Sequence, residues 1–376
     1  MDPSLLTKPA FWSDPAPVFM GEFPSHAPDD SRLADHVMFA TSGSSGKPKW
    51  IALSKPALLA SAEAVNRHLH VTSASRWGLA LPIHHVGGFG VAARAHAAGC
   101  GFSTFGQRWA AAAFCDWLAV EKPTHISLVP TQVHDLVAGG HHAPESVRVA
   151  IVGGGSLDEP TGLAARSMGW PVLASYGMTE ACSQIATQGL EALETPYQPA
   201  PISILPHWLV RVDDDGRILL QGPSLFSGVL LPDEGSWIYQ ERTLGWFATS
   251  DRGRIENGQL TPCGRIDQFV KVLGELVNIG EIETKLALAA GDTMPPGSFA
   301  VVPVPDARAG HALVPVFESA VPPETVAAAL ENYQLGATGL TRLRKPFFLA
   351  EIPKSPLGKV LRSELYGLVT GLLRES

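Results

Sequence analysis

Between residues 41 and 49 the chain reads Thr-Ser-Gly-Ser-Ser-Gly-Lys-Pro-Lys. Thr41, Ser42, Gly43, Ser44, Ser45 and Gly46 are all small, so they cannot pack a core. Their backbone N–H groups, however, can converge on an anion because no side chain blocks the approach. The hydroxyls of Thr41, Ser42, Ser44 and Ser45 add donors, and Lys47 and Lys49 supply point charges suited to phosphate. Apolar runs over 37–40 and 50–53 flank the loop and predict two strands, so the stretch reads as a phosphate-gripping hairpin. It is not a Walker A loop, which needs Gly where Thr41 stands and a hydroxyl where Pro48 stands. Ser44-Ser45-Gly46-Lys47 also fits the S-x-x-K motif of penicillin-binding enzymes, but the Lys-Thr-Gly that accompanies it is absent from the chain. A flexible surface loop is the plain alternative for the Gly and Ser residues; the two lysines directly after them favour phosphate.

Three other segments could carry chemistry, and the elements around them suggest where they sit. Strands are predicted over 77–81, 125–129, 147–152 and 172–174. Helices are predicted over 55–70, 91–98, 110–121, 130–138 and 160–168. This alternation argues for an α/β fold with a mainly parallel, doubly wound sheet. His85 in the loop 83–90, the run Gly153-Gly154-Gly155, and Ser175-Tyr176-Gly177-Met178-Thr179-Glu180 then fall at the carboxyl ends of strands. Open α/β sheets place ligands at that edge. Taken singly, His85 is as readily a hydrogen-bonded structural imidazole.

Residues 1–36, rich in Pro, Ser and Asp, read as a covering arm with little regular structure. Beyond residue 196, hairpin patterns over 208–220 and 246–261, with turns at 213–216 and 256–258, predict a small β-subdomain over about 197–263. From 264 to 376 the pattern is that of a separate small α+β domain. Its predicted strands cover 269–273, 300–304, 313–317 and 346–350, and its helices 280–290, 323–333 and 359–373. The domains are thus expected at 1–263 and 264–376. Lys359 closes a loop from Pro353 that is stiffened by two prolines and loosened by one glycine. Alone, it is a solvated lysine at a helix start.

Composition excludes several classes. The 45% hydrophobic and 17% charged content is that of a soluble globular protein. A net charge of −8 argues against a general nucleic-acid or anionic-membrane surface, so an anionic ligand must be held by local donors. The four cysteines show no C-x-x-C spacing, which suggests reduced thiols in a cytoplasmic protein. There is no signal-type segment and no apolar run long enough to span a membrane. No His or Cys cluster argues for zinc.

The ordered set of motifs resembles the adenylate-forming superfamily: acyl- and aryl-CoA synthetases, luciferases and nonribosomal adenylation domains. Residues 41–49 are similar to its phosphate loop, and Tyr176–Glu180 to its adenine and magnesium motif. Ser250-Asp251-Arg252-Gly253 is similar to its ribose-binding acidic motif. Gly264–Lys271, continuing to Gly274-Glu275, is similar to its hinge, and Pro353–Lys359 to its catalytic lysine loop. The resemblance implies ATP and Mg²⁺ as cofactors and CoA as co-substrate. Thr41 to Lys49 would hold the β- and γ-phosphates, and Glu180 aided by Thr179 the magnesium. Tyr176 and Gly177 with Gly153–Gly155 would hold adenine, and Asp251 with Arg265 the ribose. Lys359 would reach both the carboxylate and the α-phosphate. The C-terminal domain would swing about Asp267, bringing Lys271 and Gly274 towards the CoA thiol.

Within that superfamily, Leu-Ala-Leu-Pro-Ile-His-His-Val-Gly-Gly at 79–88 with Arg94 looks most like short o-succinylbenzoate–CoA ligases of menaquinone biosynthesis. His85, Gly88 and Ser175 would then border the acid, and Arg94 would meet its second carboxylate, although Arg94 facing solvent or a helix end is an equal reading of the position alone. Ligases for another aryl or fatty acid, and stand-alone enzymes loading a carrier protein, are the alternatives. Expected partners are small molecules, with a homodimer left open. Two departures stand out. The phosphate loop comes unusually early, implying a truncated first lobe. Trp50 stands where the family usually has Gly, so it either fills space or alters strand pairing beside the phosphates.

Overall fold

Runs of apolar residues from 76 onward, separated by helices, build a six-stranded sheet in the order Gly101–Thr104, Arg76–Leu79, His125–Leu128, Val149–Val152, Val172–Met178, Ser183–Thr187. The first five strands are parallel; the last pairs antiparallel with its neighbour. His125–Leu128 and Val149–Val152 are buried at every position, as parallel strands covered on both faces must be. Helices Lys55–His68 and Val86–Ala98 pack together, while Ala111–Glu121, Pro130–Ala138 and Glu159–Ser167 form a second group. The α/β fold with a doubly wound, mainly parallel sheet is therefore as expected. In this computed structural model residues 1–376 are described, apart from 22–27, 29, 43–47, 234–235, 296, 355–359 and 376.

The sheet order reverses between Arg76–Leu79 and His125–Leu128, because the chain moves outward to Gly101–Thr104 before crossing back. The loop after Arg76–Leu79 therefore lies at the topological switch, and it carries His85. Two expectations on this edge need correction. The helix begins at Val86, not at 91, so Gly88 lies inside it. A Cβ at Gly88 would stand 2.3 Å from the Pro82 carbonyl oxygen, so glycine lets the helix start against the loop that precedes it. Likewise, the strand expected to stop at 174 runs on to Met178 and turns back through a 3₁₀ turn, Thr179–Ala181. A Cβ at Gly177 would overlap the Ser183 carbonyl, 1.5 Å away.

A second sheet holds the strands flanking residues 43–47. Its order is Val18–Met20, His36–Ser42, Pro48–Ser54, Gly228–Asp233, Ser236–Glu241. The β-subdomain expected over 197–263 is thus not self-contained, since its 228–241 hairpin pairs with the strand that carries Lys49 and Trp50. The remaining strands of that region form a five-stranded sheet ordered Ile202–Ser203, Gln259–Arg265, Phe247–Glu256, Arg217–Gln221, Leu209–Val212. Trp50 sits opposite Leu230 in regular antiparallel register, so it leaves the pairing intact. It is 2% exposed and packs edge-on against Phe19, in a cluster with Leu33, Met38, Leu230, Trp237 and Tyr239. Trp50→Ala is expected to cost about 3–5 kcal/mol, read as a lower urea midpoint at unchanged slope; an unchanged midpoint would place this cluster outside the cooperative core.

The N-terminal arm is more ordered than expected. It forms a 3₁₀ helix, Pro3–Thr7, and a short helix, Pro9–Ser13. Phe11 and Trp12 pack on Phe89, and the Lys55 ammonium, 4.8 Å from the Phe11 ring centroid, donates to the Asp14 carbonyl.

The chain divides into two compact units, the first built on 1–41, 48–249 and 253–263, the second on 264–376 together with Ser42 and 250–252. The second holds a hairpin, Phe269–Val272 with Glu275–Asn278, whose return strand has no clear sequence signal. Both turn residues, Leu273 and Gly274, have positive φ, the conformation a tight two-residue hairpin demands. A three-stranded sheet follows, Phe299–Asp306, Gly310–Glu318 and Phe347–Leu349, packed by helices Ile279–Ala290, Pro323–Gly336 and Arg362–Glu375. Among the described residues, no helix is long and apolar enough to cross a membrane.

Candidate active site

The Thr179–Ala181 turn is pinned from both sides. The Phe226 N–H donates to the Glu180 carbonyl at 2.9 Å, and the Ser61 hydroxyl to the Cys182 carbonyl at 3.0 Å. Cys182 and Ser183 take positive φ to complete the reversal. The Glu180 carboxylate so fixed meets the Lys49 ammonium at 3.3 Å, on side chains 20% and 32% exposed. The ion pair thus joins residues 131 apart in the chain, one on the strand Pro48–Ser54 and the other on the Thr179–Ala181 turn that follows a strand of a different sheet. Thr41 donates from its hydroxyl to the Lys49 carbonyl at 3.5 Å. Gly43, Ser44, Ser45, Gly46 and Lys47 lie outside the described residues, and so does Lys359.

A partly exposed carboxylate on a fixed turn offers a hard oxygen ligand to Mg²⁺, in competition with the Lys49 ammonium that it meets here. Among the described residues no group of three His, Cys, Asp or Glu side chains could hold a metal. The Glu180 oxygen fits magnesium, which takes few protein carboxylates and completes its shell with water and phosphate oxygens. Glu180 and Thr179 are the residues that would hold it. Glu180→Gln is expected to raise the Mg²⁺ concentration for half-maximal activity by about 10- to 100-fold, tested by magnesium titration at saturating ATP; an unshifted curve removes Glu180 from metal binding.

At the adjoining strand end, the Ser175 hydroxyl donates to the Val152 carbonyl at 3.0 Å. A Cβ on Gly153 would lie 2.8 Å from Ser175 Oγ, so glycine lets the Gly153–Gly155 loop close over Ser175. Gly154 has φ +78°. Tyr176 is half-buried beside a register shift between Tyr176 and Gly177. His85 caps the 86–98 helix without a side-chain capping bond. Its ring lies 4.4 Å from that of His84, and its Nε2 is buried without a partner among the described residues. Burial, and secondarily His84, lowers its pKa, which favours the neutral imidazole.

Arg94 is the most unusual group in the first unit. It is 2% exposed, and no ion pair to it occurs among the described residues. Its Nη1 donates to Ser127 Oγ at 3.4 Å, its guanidinium lies 5.3 Å from the Trp77 ring centroid, and its Nε is unsatisfied. Burial pushes its pKa down to about 9, so it remains charged at neutral pH. A Cβ at Gly90 would lie 3.1 Å from Arg94 Nη2 and 3.8 Å from the Ser183 Cβ, which places the guanidinium beside the turn after Glu180.

Sequence reasoning missed the frame that holds Arg94. Asn66 Nδ2 donates to the Arg94 carbonyl at 2.8 Å, and Trp77 Nε1 donates to Asn66 Oδ1 at 3.3 Å. The His125 ring lies 5.1 Å from Trp77, and burial lowers its pKa to about 4, so it adds no charge. The available signal was a polar Asn66 inside the apolar stripe of a helix and a Ser127 inside an apolar strand.

In the strand Phe247–Glu256, Asp251 is half-buried. In the second unit, Arg265 forks onto Asp267 through Nε–Oδ1 at 2.9 Å and Nη2–Oδ2 at 3.0 Å. The expected ribose ligand and the expected hinge residue are thus one ion pair. Lys271 is exposed on the strand Phe269–Val272, and Gly274 sits at the turn of that hairpin.

The profile of the AMP-binding enzyme family matches residues 8–230. The 2-succinylbenzoate–CoA ligase of Enterococcus faecalis is 26% identical over 356 residues, covering 89% of this chain and 70% of that protein. That of Escherichia coli K12 is 29% identical over 289 residues, covering 75% and 58%. Across such relatives the alignments span between about half and 70% of their length. Among solved structures, o-succinylbenzoate CoA synthetase (MenE) from Bacillus subtilis in complex with the acyl-adenylate intermediate OSB-AMP superposes with a TM-score of 0.75 at 25% identity, covering 88% of this chain and 68% of that one. The same enzyme in complex with ATP and magnesium ion gives 0.74 at 26%, covering 88% and 69%.

Proposed function

The chain belongs to the AMP-binding enzyme family, and from that premise we propose that it is an AMP-forming acid–CoA ligase acting on an aromatic dicarboxylic acid, 2-succinylbenzoate. The substrate carboxylate attacks the α-phosphorus of ATP, forming an acyl-adenylate and releasing pyrophosphate. The CoA thiol then attacks the acyl carbon, and AMP leaves as the thioester forms. Activation is needed because a free carboxylate would have to expel oxide.

Charge grows on phosphate oxygens in the first step, so fixed donors and cations lower its barrier most. Lys49 and the hydroxyls beside it bind the β- and γ-phosphates, and Glu180 with Thr179 would hold a magnesium ion, which would supply positive charge to the phosphate oxygens. Tyr176, Gly177 and Gly153–Gly155 hold adenine, and Asp251 and Arg265 the ribose. His85, Gly88 and Ser175 border the aromatic acid. Lys359 bridges the reacting carboxylate and the α-phosphate. The 264–376 domain reorients about Asp267 for the second step, presenting Lys271 and Gly274 to the thiol.

The observation that carries the substrate assignment is Arg94. A buried cation without a counterion is costly, and an incoming carboxylate supplies the missing charge with a bidentate fit. ATP–pyrophosphate exchange, run with 2-succinylbenzoate and with acids lacking the second carboxylate, tests the reading; each acid is assayed with and without CoA. Exchange only with monocarboxylic acids would exclude the dicarboxylate, and thioester formation only on a carrier protein would exclude the CoA ligase.

A further inference from the structure

The guanidinium of Arg94 is held differently at each of its nitrogens. Nη1 donates to Ser127 Oγ at 3.4 Å, and Ser127, 6% exposed, stands on the buried strand His125–Leu128. Nε is buried and has no partner among the described residues. Nη2 is also without a hydrogen-bond partner among them, yet unlike Nε it is not buried. One face of the group lies 5.3 Å from the Trp77 ring centroid, and the Arg94 carbonyl accepts from Asn66 Nδ2 at 2.8 Å. Backbone, face and Nη1 are thus fixed, and Nη2 is the nitrogen left to meet a ligand.

The glycines at the start of the same helix differ in what a side chain would meet. A Cβ at Gly87 would touch only Leu81, at 3.9 Å, whereas one at Gly88 is excluded by the Pro82 carbonyl. At Gly90 the nearest atoms would be Arg94 Nη2 at 3.1 Å and Cζ at 3.5 Å, with the Ser183 Cβ at 3.8 Å. Gly90 does not take the left-handed φ that would require a glycine, and inside a helix glycine is less favourable than alanine. What the missing side chain leaves is clearance beside Nη2. Ser127 on Nη1 and this clearance on Nη2 occupy the two ends of one guanidinium edge, and recognition of a carboxylate by such a planar fork depends on its orientation.

We propose that Ser127 is a positioning residue that holds Nη1 and so turns Nη2 to the bound acid, and that Gly90 is a specificity-determining residue that keeps the approach to Nη2 open for the acid's second carboxylate. The inference rests on the assignment of Arg94 to that carboxylate made above. A methyl group at 90 would press on Nη2, and loss of the Ser127 hydroxyl would free the guanidinium to rotate. Both changes act through Arg94, so both should show themselves in binding of the acid.

The test is steady-state kinetics of the full chain carrying Gly90→Ala, Ser127→Ala, Gly87→Ala, and Arg94→Met alone and combined with each of the first two. Gly90→Ala and Ser127→Ala are each expected to raise KM for 2-succinylbenzoate by about 10- to 100-fold, the scale of a hydrogen bond to a charged group, with KM for ATP and CoA held. Gly87→Ala, where a methyl group has room, should leave KM for the acid within about twofold of wild type. In the Arg94→Met background, Gly90→Ala and Ser127→Ala should add less than about twofold, since both act through the guanidinium. Full multiplication of the effects in that background would overturn the proposal. So would an equal rise in Gly87→Ala, which would trace the effect to the helix rather than to clearance at Nη2. Unchanged KM in Gly90→Ala and Ser127→Ala beside a raised KM in Arg94→Met would overturn it while leaving Arg94 on the second carboxylate. If Arg94→Met itself leaves KM unchanged, the dicarboxylate reading fails and takes both residues' roles with it.

Discussion

Arg94→Met is expected to raise KM for 2-succinylbenzoate by about 10²- to 10³-fold while leaving kcat/KM for monocarboxylic substrates nearly unchanged. Removing one partner of a desolvated, hydrogen-bonded charge pair costs about 2–5 kcal/mol, and each 1.36 kcal/mol is a factor of ten. The effect should be confined to the acid, with KM for ATP and CoA held. Stability should move the other way. Arg94 is charged, buried and without an acidic partner among the described residues. Replacing it by an apolar side chain of similar length is expected to stabilise the chain by roughly 1–4 kcal/mol.

The sign of the pH dependence follows from the same burial. The folded-state pKa is lowered to about 9, well below the ordinary arginine value, so below about pH 9 both states hold the proton and the penalty is constant. Between about pH 9 and the ordinary arginine value the unfolded chain binds more protons than the folded one, and stability rises with pH. The advantage of Arg94→Met over wild type should therefore be flat through neutrality and shrink above pH 9, as read by urea melts. An unchanged KM, or a destabilised variant, would show that Arg94 is structural and already satisfied.

These opposed effects also mark where the sequence was legible. Arg94 could be singled out by type and position, but solvent was an equal reading of it. Its burial depends on Gly90 making room one helical turn earlier, on Trp77 beneath it and on Asn66 from another helix, and the last two are not local in sequence. The parallel sheet was legible because four of its strands are short apolar runs alternating with helices, whereas its edge strand Gly101–Thr104, Gly-Phe-Ser-Thr, is no such run and was missed. Gly88 and Gly177 were read as loop glycines. Their positions are demanded by the Pro82 and Ser183 backbones, and close approach to another segment leaves no periodic trace. The same holds for the 228–241 hairpin, whose alternation is visible while its partner strand, 48–54, lies far away in the chain. Trp50 illustrates the converse. It stood out as a departure beside the phosphate loop, and the fold makes it the centre of an ordinary apolar cluster.

Lys359→Ala is expected to lower ATP–pyrophosphate exchange by about 10²- to 10³-fold, the usual consequence of removing one preorganised donor from a developing anion. Thioester formation from supplied acyl-adenylate should stay within a few-fold of wild type, because in that step the negative charge leaves on AMP and the nucleophile is a thiol. Lys359→Arg is expected to rescue little: a planar guanidinium and a compact ammonium place their charge differently between a carboxylate and an α-phosphate. The same split distinguishes Lys359 from Lys49. Lys49 meets Glu180 in the first unit and is assigned to the leaving pyrophosphate, so Lys49→Met should raise KM for ATP as well as lower the exchange rate, whereas Lys359→Ala should act chiefly on kcat. Equal loss of both half-reactions in Lys359→Ala, or full exchange activity, would remove that lysine from the chemistry. The burden would then fall on the cations of the phosphate loop, which are positioned by strands more than three hundred residues earlier in the chain.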